Sequence, residues 1–127
     1  MVRPMDGRSN VVGFLSRFKS CVMLDFFHVR DRDKNIQGLI DLGINVSQRR
    51  EILLGLETEN YVEGPKPDDE DSSKEVWVFG KECGGIQIYI KMRVVEDKKR
   101  KDGYRALVWS FHPAEHTLSF PYRKGVE

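Results

Sequence analysis

The chain has 127 residues, enough for one domain with a buried core and too few for two ordinary domains. Apolar residues make up 39% and charged residues 32%, and neither a membrane-spanning run nor a signal-peptide pattern is present, so we expect a cytoplasmic protein without membrane contact. The formal net charge of +1 does not indicate a nucleic-acid binder, although a local basic face can still bind RNA.

The chain is predicted to begin with a disordered lead followed by a helix. Residues 1–10 are assigned to the lead and residues 11–127 to a single domain. Four apolar residues then recur at helical spacing: Val11, Phe14, Leu15 and Phe18. The aromatic and aliphatic segment over residues 22–29 favours a strand.

Two further short helices are predicted before the middle of the chain. Asp31 can cap the first and Ser47 the second, and Gly43 stands where a left-handed residue would end the first. Their expected buried faces are Ile36, Leu39 and Ile40 in the first helix, and Ile52, Leu53 and Leu56 in the second.

The second half is predicted to consist of strands. Residues 60–73 read as a loop, and the acidic part from Glu63 to Ser73 is expected at the rim, mobile and available to a partner protein. Strands are predicted over residues 76–79, 86–95 and 104–112, with a tight turn before the second and a charged loop over residues 96–103. This order indicates an α+β protein with short helices on one face of a curved antiparallel sheet.

The strand over residues 86–95 carries the main candidate site. Its apolar side chains point one way, and its opposite face carries Gln87, Tyr89, Lys91 and Arg93. An aromatic hydroxyl and two cations along one strand suit contacts with phosphates and nucleobases. Residues of these types on an outer strand face also commonly serve solubility alone.

His112 ends the next strand and completes the candidate site. If the two strands pair as a hairpin, His112 lies on the same face as Tyr89 and Lys91, within reach of one phosphodiester. We expect this strand to present positions 105, 107, 109 and 111 on one face, and positions 106, 108, 110 and 112 on the other. Cleaving RNA through its own 2′-hydroxyl needs a proton acceptor, a proton donor and cations. The pattern therefore predicts a metal-independent RNA-cleaving site with His112, Lys91 and Tyr89 as catalytic residues and no cofactor.

Other titratable residues compete for these roles. His28 alternates with apolar residues and is expected to be half-buried, and Glu63 is a possible base if its loop folds back. His116 and Glu115 could in principle bind zinc, but their spacing fits no zinc motif. Cys21 and Cys83 lack the spacing of a disulfide scaffold or a zinc site.

Several segments in order resemble the MqsR family of type II toxin–antitoxin toxins, from about Phe14 to Tyr122. The matching segments are Arg30-Asp31-Arg32-Asp33-Lys34-Asn35, Leu42-Gly43-Ile44 with Arg50 and Leu53, Asn60-Tyr61, Gly64-Pro65, Trp77-Val78-Phe79-Gly80-Lys81, Ile88-Tyr89-Ile90-Lys91 and Ser110-Phe111-His112-Pro113-Ala114-Glu115. The chain is most similar to a longer branch of that family with the Ser-Phe-His-x-Ala ending.

This resemblance implies a RelE-like fold and an mRNA interferase that cleaves mRNA without metal. It implies mRNA as substrate and a cognate antitoxin protein as partner, and it leaves dependence on the ribosome open. Tyr89 and Lys91 match the family's Tyr-x-Lys, and His112 stands where better-known members have a basic residue. Glu63 and Val78 replace a lysine and a glutamine of those members, and Lys81 or Arg93 could supply the missing cation. With Gln87, these two residues are the expected RNA-binding residues.

A second hypothesis is a non-catalytic interaction protein on the same fold, for example an inhibitor of another enzyme. A RelE-like fold can host either function, so the fold does not discriminate between them. The set of Tyr89, Lys91 and His112 does, because cleavage needs these side chains and inhibition does not.

Overall fold

The computed structural model of the chain describes residues 4–101 and 103–123. These residues form three α-helices and an open five-stranded sheet, which confirms the predicted α+β class. The helices are α1 (Pro4–Met23), α2 (Asp33–Leu42) and α3 (Val46–Leu54), with a short 3-10 helix at Thr58–Asn60. The strands are β1 (Phe27–Val29), β2 (Tyr61–Pro67), β3 (Glu75–Cys83), β4 (Ile86–Glu96) and β5 (Tyr104–Pro113).

The sheet is mixed, with the spatial order β1-β5-β4-β3-β2. Strands β3, β4 and β5 form antiparallel neighbours, as predicted, and β2, in a segment predicted to be a loop, is a further antiparallel neighbour of β3. Strand β1 pairs parallel with β5, so the prediction of a wholly antiparallel sheet is wrong. A parallel pair needs a long crossover connection, and most of the chain lies between these two strands. Among the described residues, no helix is long and apolar enough to cross a bilayer.

Helix α1 covers one face of the sheet and begins earlier than predicted. Its helical structure starts at Pro4, so the expected disordered lead does not hold for residues 4–10, whereas residues 1–3 lie outside the described part. Val22 continues the buried stripe of α1, so the helix extends to Met23. The strand predicted over residues 22–29 is therefore shorter and covers only β1. The core between α1, α3 and the sheet includes Val11, Leu15, Phe18, Val22, Leu53, Leu56, Phe79, Ile88, Ile90, Met92 and Phe111.

Helix α2 uses a polar residue to bind the edge of the sheet, contrary to its predicted apolar face. Ile36 and Ile40 are 52% and 67% exposed, and the buried residues of α2 are Asn35 and Gly38. Asn35 Oδ1 accepts the Phe111 N–H at 2.9 Å, and Asn35 Nδ2 donates to the Trp109 carbonyl at 3.2 Å. Asn35 therefore satisfies the hydrogen-bonding groups of the β5 backbone beyond the end of β1. Helix α2 lies at this edge, so the prediction that all helices pack on one face of the sheet is wrong.

The predictions for the helix ends are confirmed only in part. Gly43 ends α2 in the left-handed conformation at φ 68°, as predicted, but the residue before α2 is Arg32 and makes no side-chain cap. Asn45 caps α3 in a capping box with Gln48, in place of the predicted Ser47. The glycines at the β3–β4 turn, Gly84 and Gly85, have the positive φ expected of them.

Candidate functional site

A β-bulge at Trp109 determines which side chains of β5 face the candidate site. Lys91 pairs with Ser110, whereas the next residue, Met92, pairs with Val108, so Trp109 is an extra residue. The bulge reverses the alternation: positions 106 and 108 face the core, and positions 110 and 112 face away from it. The prediction that positions 106, 108, 110 and 112 share one face is therefore wrong.

The same bulge brings the three predicted catalytic side chains together. Tyr89 and His112 are direct partners on β4 and β5, and their rings stack with centroids 5.6 Å apart. Lys91 follows Tyr89 on the same face of β4, next to Ser110. All four side chains line one cavity of about 320 Å³ on the face opposite α1. The predicted convergence of Tyr89, Lys91 and His112 is confirmed.

The His112 ring is oriented by the backbone. Its Nδ1 lies 2.9 Å from the Pro113 carbonyl oxygen. A carbonyl oxygen only accepts hydrogen bonds, so Nδ1 carries the hydrogen in this contact and the neutral ring keeps its lone pair on Nε2. His112 is also buried beneath α2, where Gly38 allows the helix backbone to approach β5. This ring can accept a proton through Nε2 from a molecule in the cavity.

The Tyr89 hydroxyl is held in its protonated form. Burial raises the pKa of Tyr89 above its ordinary value of 10.0. The positive charge of Lys66 opposes this shift, and the nearby acids, first among them Glu63, add to it. At neutral pH the hydroxyl can therefore donate a hydrogen bond, and it is not a base.

The cavity contains further charged residues that the sequence did not single out. Arg32 and Lys34 lie at the start of α2 and face it from the side of β5. Lys34 Nζ donates to Glu115 Oε2 at 2.7 Å, and this contact lowers the pKa of Glu115. His116 is exposed and lines the same cavity. Arg32 and Lys34 belong to a segment quoted for its family resemblance, but only the docking of α2 on β5 brings them here.

The acidic segment after β2 was predicted to lie at the rim, but its first residues lie at the candidate site. Residues 61–67 form β2, and the chain then folds back so that Asp68 reaches Lys91. Lys91 Nζ donates to Asp68 Oδ1 at 2.6 Å, and the two side chains are 11% and 2% exposed. Asp69 and Glu70 also line the cavity beside His112. The prediction of a loop over residues 60–73 is therefore wrong for residues 61–67, and the predicted rim position is wrong for Asp68, because a charged partner on β4 offsets the cost of burying an acid. Residues 69–74 are exposed, as expected of a rim.

Asp68 is stabilised as a carboxylate by several donors. Burial alone would raise its pKa, but the hydrogen bonds from Lys91 and from the backbone N–H groups of Glu70 and Asp71 outweigh burial and lower it. The carboxylate thus uses one oxygen for Lys91 and the other for its own loop.

The three predicted RNA-binding residues differ in position. Arg93 lies two residues beyond Lys91 on the same face of β4, with its guanidinium carbon 5.5 Å from the Trp109 ring centroid, but it lines a second cavity beside α1 and not the cavity of His112. Lys81 pairs with Ile88 and so lies on the other face, away from the site. Gln87 is committed elsewhere, because its Oε1 accepts the Leu118 N–H at 3.0 Å. Lys81 and Gln87 are therefore not part of this site.

The competing titratable residues also lie outside it or are occupied. Glu63 binds Lys66 at 2.9 Å on β2 and does not reach the cavity, and His28 is exposed rather than half-buried. Cys21 and Cys83 form no disulfide. In the described part of the chain, His, Cys, Asp and Glu form no group of three that could hold a metal ion. A larger cavity of about 490 Å³ between α1 and the sheet has no histidine in its described lining.

No protein-family model, curated protein or solved structure matches this chain.

Proposed function

We propose that this protein is an endoribonuclease that cleaves mRNA through the RNA's own 2′-hydroxyl, as the toxin of a type II toxin–antitoxin system. The proposal includes a RelE-like fold of the MqsR type, with which three helices and an open mixed sheet are compatible. Its partner would be a cognate antitoxin protein. The resemblance in seven ordered segments supports this identification, and the side chains of the site support the chemistry.

In the proposed reaction, His112 is the general base. Nε2 takes the proton of the 2′-hydroxyl, and the 2′-oxygen attacks the adjacent phosphorus. Lys91 stabilises the negative charge on the pentavalent phosphate, and Tyr89 donates a hydrogen bond to it. The bond to the 5′-oxygen breaks, and this oxygen leaves with a proton from the cavity, for which Tyr89 and Lys91 are the candidate donors. The products carry a 2′,3′-cyclic phosphate and a 5′-hydroxyl.

The observation that carries the proposal is the stacked pair of Tyr89 and His112 beside Lys91 in one cavity. A base, a hydrogen-bond donor and a cation are the three functions that this reaction needs. The hydrogen bond from His112 Nδ1 to the Pro113 carbonyl also supports the proposal. It fixes the ring, so the ring loses less conformational freedom when substrate binds.

The test is incubation of the purified protein with a defined mRNA, with and without EDTA and with and without ribosomes, followed by primer extension. We expect discrete cuts that EDTA does not change. An RNA with a single 2′-deoxy substitution at a mapped cut should resist cleavage at that position only. Cleavage of the substituted position would contradict attack by the 2′-hydroxyl.

One observation favours the second candidate, a non-catalytic interaction protein. Asp68 already occupies Lys91, the cation that would bind the scissile phosphate. If the protein cleaves no RNA in any of these conditions, the interaction protein becomes the better account of the chain.

A further inference from the structure

The acidic connection between β2 and β3 contacts two cations on the outer face of the sheet. We call residues 68–74 the hairpin tip; its ends are joined by the hydrogen bond from Asp68 N–H to the Lys74 carbonyl at 2.9 Å. Asp68 binds Lys91 at 2.6 Å, and Glu70 Oε1 lies 4.0 Å from Arg30 Nη1. Two carboxylates that are two residues apart thus face two separate cations.

These cations belong to a continuous basic surface around Trp109. Lys91 and Arg93 follow each other on one face of β4, about 7 Å apart along the strand. The guanidinium carbons of Arg30 and Arg93 lie 4.3 Å and 5.5 Å from the Trp109 ring centroid. The bulge therefore places an aromatic ring close to both arginines, a combination suited to contacts with nucleic acid.

Arg93 is the cation of this surface that lacks an acceptor. Its Nε and Nη1 are buried and have no hydrogen-bond partner within the described residues. Buried N–H groups of a charged side chain are costly when they are unpaired. An anion with several acceptor oxygens, bound beside Lys91, would satisfy them once the Arg93 side chain moves out of this buried position.

We propose that Lys91, Arg93 and Arg30 form a site for successive phosphate groups of single-stranded RNA, and that the hairpin tip occupies it as an internal phosphate mimic until RNA displaces it. This inference rests on the proposed ribonuclease function. A carboxylate and a phosphate both present anionic oxygens to a cation, and a phosphate suits the fork of an arginine as well. The apparent affinity for RNA is then reduced by the fraction of molecules in which the tip is closed.

The closed tip depends on the two oxygens of Asp68. One oxygen accepts from Lys91, and the other accepts from the N–H groups of Glu70 and Asp71 at 3.0 and 3.1 Å. An asparagine has a single acceptor oxygen and no charge, so Asp68→Asn cannot keep all three contacts. This substitution weakens the closed state and leaves the three cations in place.

The test uses a 5′-fluorescein-labelled single-stranded DNA oligonucleotide, which carries phosphates but has no 2′-hydroxyl to be cleaved. Fluorescence anisotropy gives its Kd for the parent protein, Asp68→Asn, Glu70→Gln and the control Glu82→Gln. Glu82 is exposed at the far end of β3, so its substitution removes one negative charge without touching the tip. Circular dichroism checks that each variant is folded. Glu70 is exposed, so we expect Glu70→Gln to fold like the parent.

We expect Asp68→Asn to bind the oligonucleotide about tenfold more tightly than the parent, Glu70→Gln to change in the same direction, and Glu82→Gln to match the parent. Hydrogen exchange gives a second readout, because the N–H groups of Glu70 and Asp71 should exchange faster when the parent binds the oligonucleotide. Equal Kd values for the parent and both tip variants, or slower exchange at these N–H groups, would overturn the mimic. If the parent still cleaves RNA, only the proposal of an internal phosphate mimic is contradicted, and the proposed ribonuclease function is not. If no variant binds the oligonucleotide and none cleaves RNA, the proposed function is lost as well.

Discussion

Lys91 and Asp68 form a 2.6 Å ion pair that is almost completely buried, in the centre of the surface proposed to bind RNA. The pair joins β4 to the hairpin tip, two parts of the chain that are 23 residues apart. Because both partners are nearly removed from water, removing either one leaves a charged group without its partner.

Lys91→Met should lower the free energy of unfolding by about 2 kcal/mol, since the buried Asp68 carboxylate loses a charged hydrogen-bond partner. The double variant Lys91→Met with Asp68→Asn should be more stable than Lys91→Met alone, because the uncompensated charge is gone. Urea denaturation of the two single variants, the double variant and the parent measures this coupling. Strict additivity of the two single effects would contradict the importance of the ion pair.

The contribution of Asp68 to stability should depend on pH. Its pKa in the folded state is lowered from 3.8, although burial opposes the shift, so its stabilising effect is present above about pH 4 and is lost as the pH falls through the folded-state pKa. Lys91 is its charged partner, and the backbone N–H groups of Glu70 and Asp71 are its other donors. The stability difference between the parent and Asp68→Asn should therefore be large at neutral pH and shrink in acid. A difference that grows in acid would contradict the assignment.

Gly38→Ala should disturb both the fold and the site. An added Cβ would lie 2.7 Å from the Phe111 carbonyl oxygen and 3.0 Å from the His112 Cα and Cβ, so α2 or β5 has to shift. We expect a loss of about 2 kcal/mol in stability and slower RNA cleavage. Gly13→Ala is the matched control: it meets no atom within 4 Å in the middle of α1 and should raise stability by about 0.5 kcal/mol. Equal stability of the two variants would show that the contact of α2 with β5 is not tight.

Tyr89→Phe tests whether the hydroxyl or only the ring takes part. If the hydroxyl donates to the phosphate, the variant should cleave RNA about tenfold more slowly, the usual value of one hydrogen bond. Because the pKa of Tyr89 is raised above 10.0, its protonated form should persist at a pH where ordinary tyrosines ionise. An ultraviolet difference titration of the parent against Tyr89→Phe would show this. An unchanged cleavage rate would limit Tyr89 to stacking.

The sequence was informative where alternation and turn chemistry decide the structure. The apolar face of β4, the glycines of the β3–β4 turn and Gly43 at the end of α2 all follow from local patterns. The convergence of Tyr89, Lys91 and His112 was expected from strand pairing, but in the structure it depends on the bulge at Trp109.

Contacts between distant parts of the chain were not predictable in the same way. The bulge at Trp109 has one signal, namely that apolar residues at positions 106 and 108 are followed by one at 111 rather than 110. The Asn35 amide makes the hydrogen bonds to β5 that a neighbouring strand would otherwise make. A hydrophobic pattern in the sequence does not indicate such a role. Asp68 was assigned to a rim loop because a sequence does not show that a lysine 23 residues away will bind it.

The most direct test of the central claim is cleavage of a defined mRNA by His112→Ala and by His116→Ala. Both histidines line the cavity, but only His112 is buried against Tyr89. The proposed mechanism predicts that His112→Ala, folded by circular dichroism, loses about 10²-fold or more in cleavage rate, whereas His116→Ala loses little. A folded His112→Ala variant that cleaves as fast as the parent would contradict the assignment of His112 as the base.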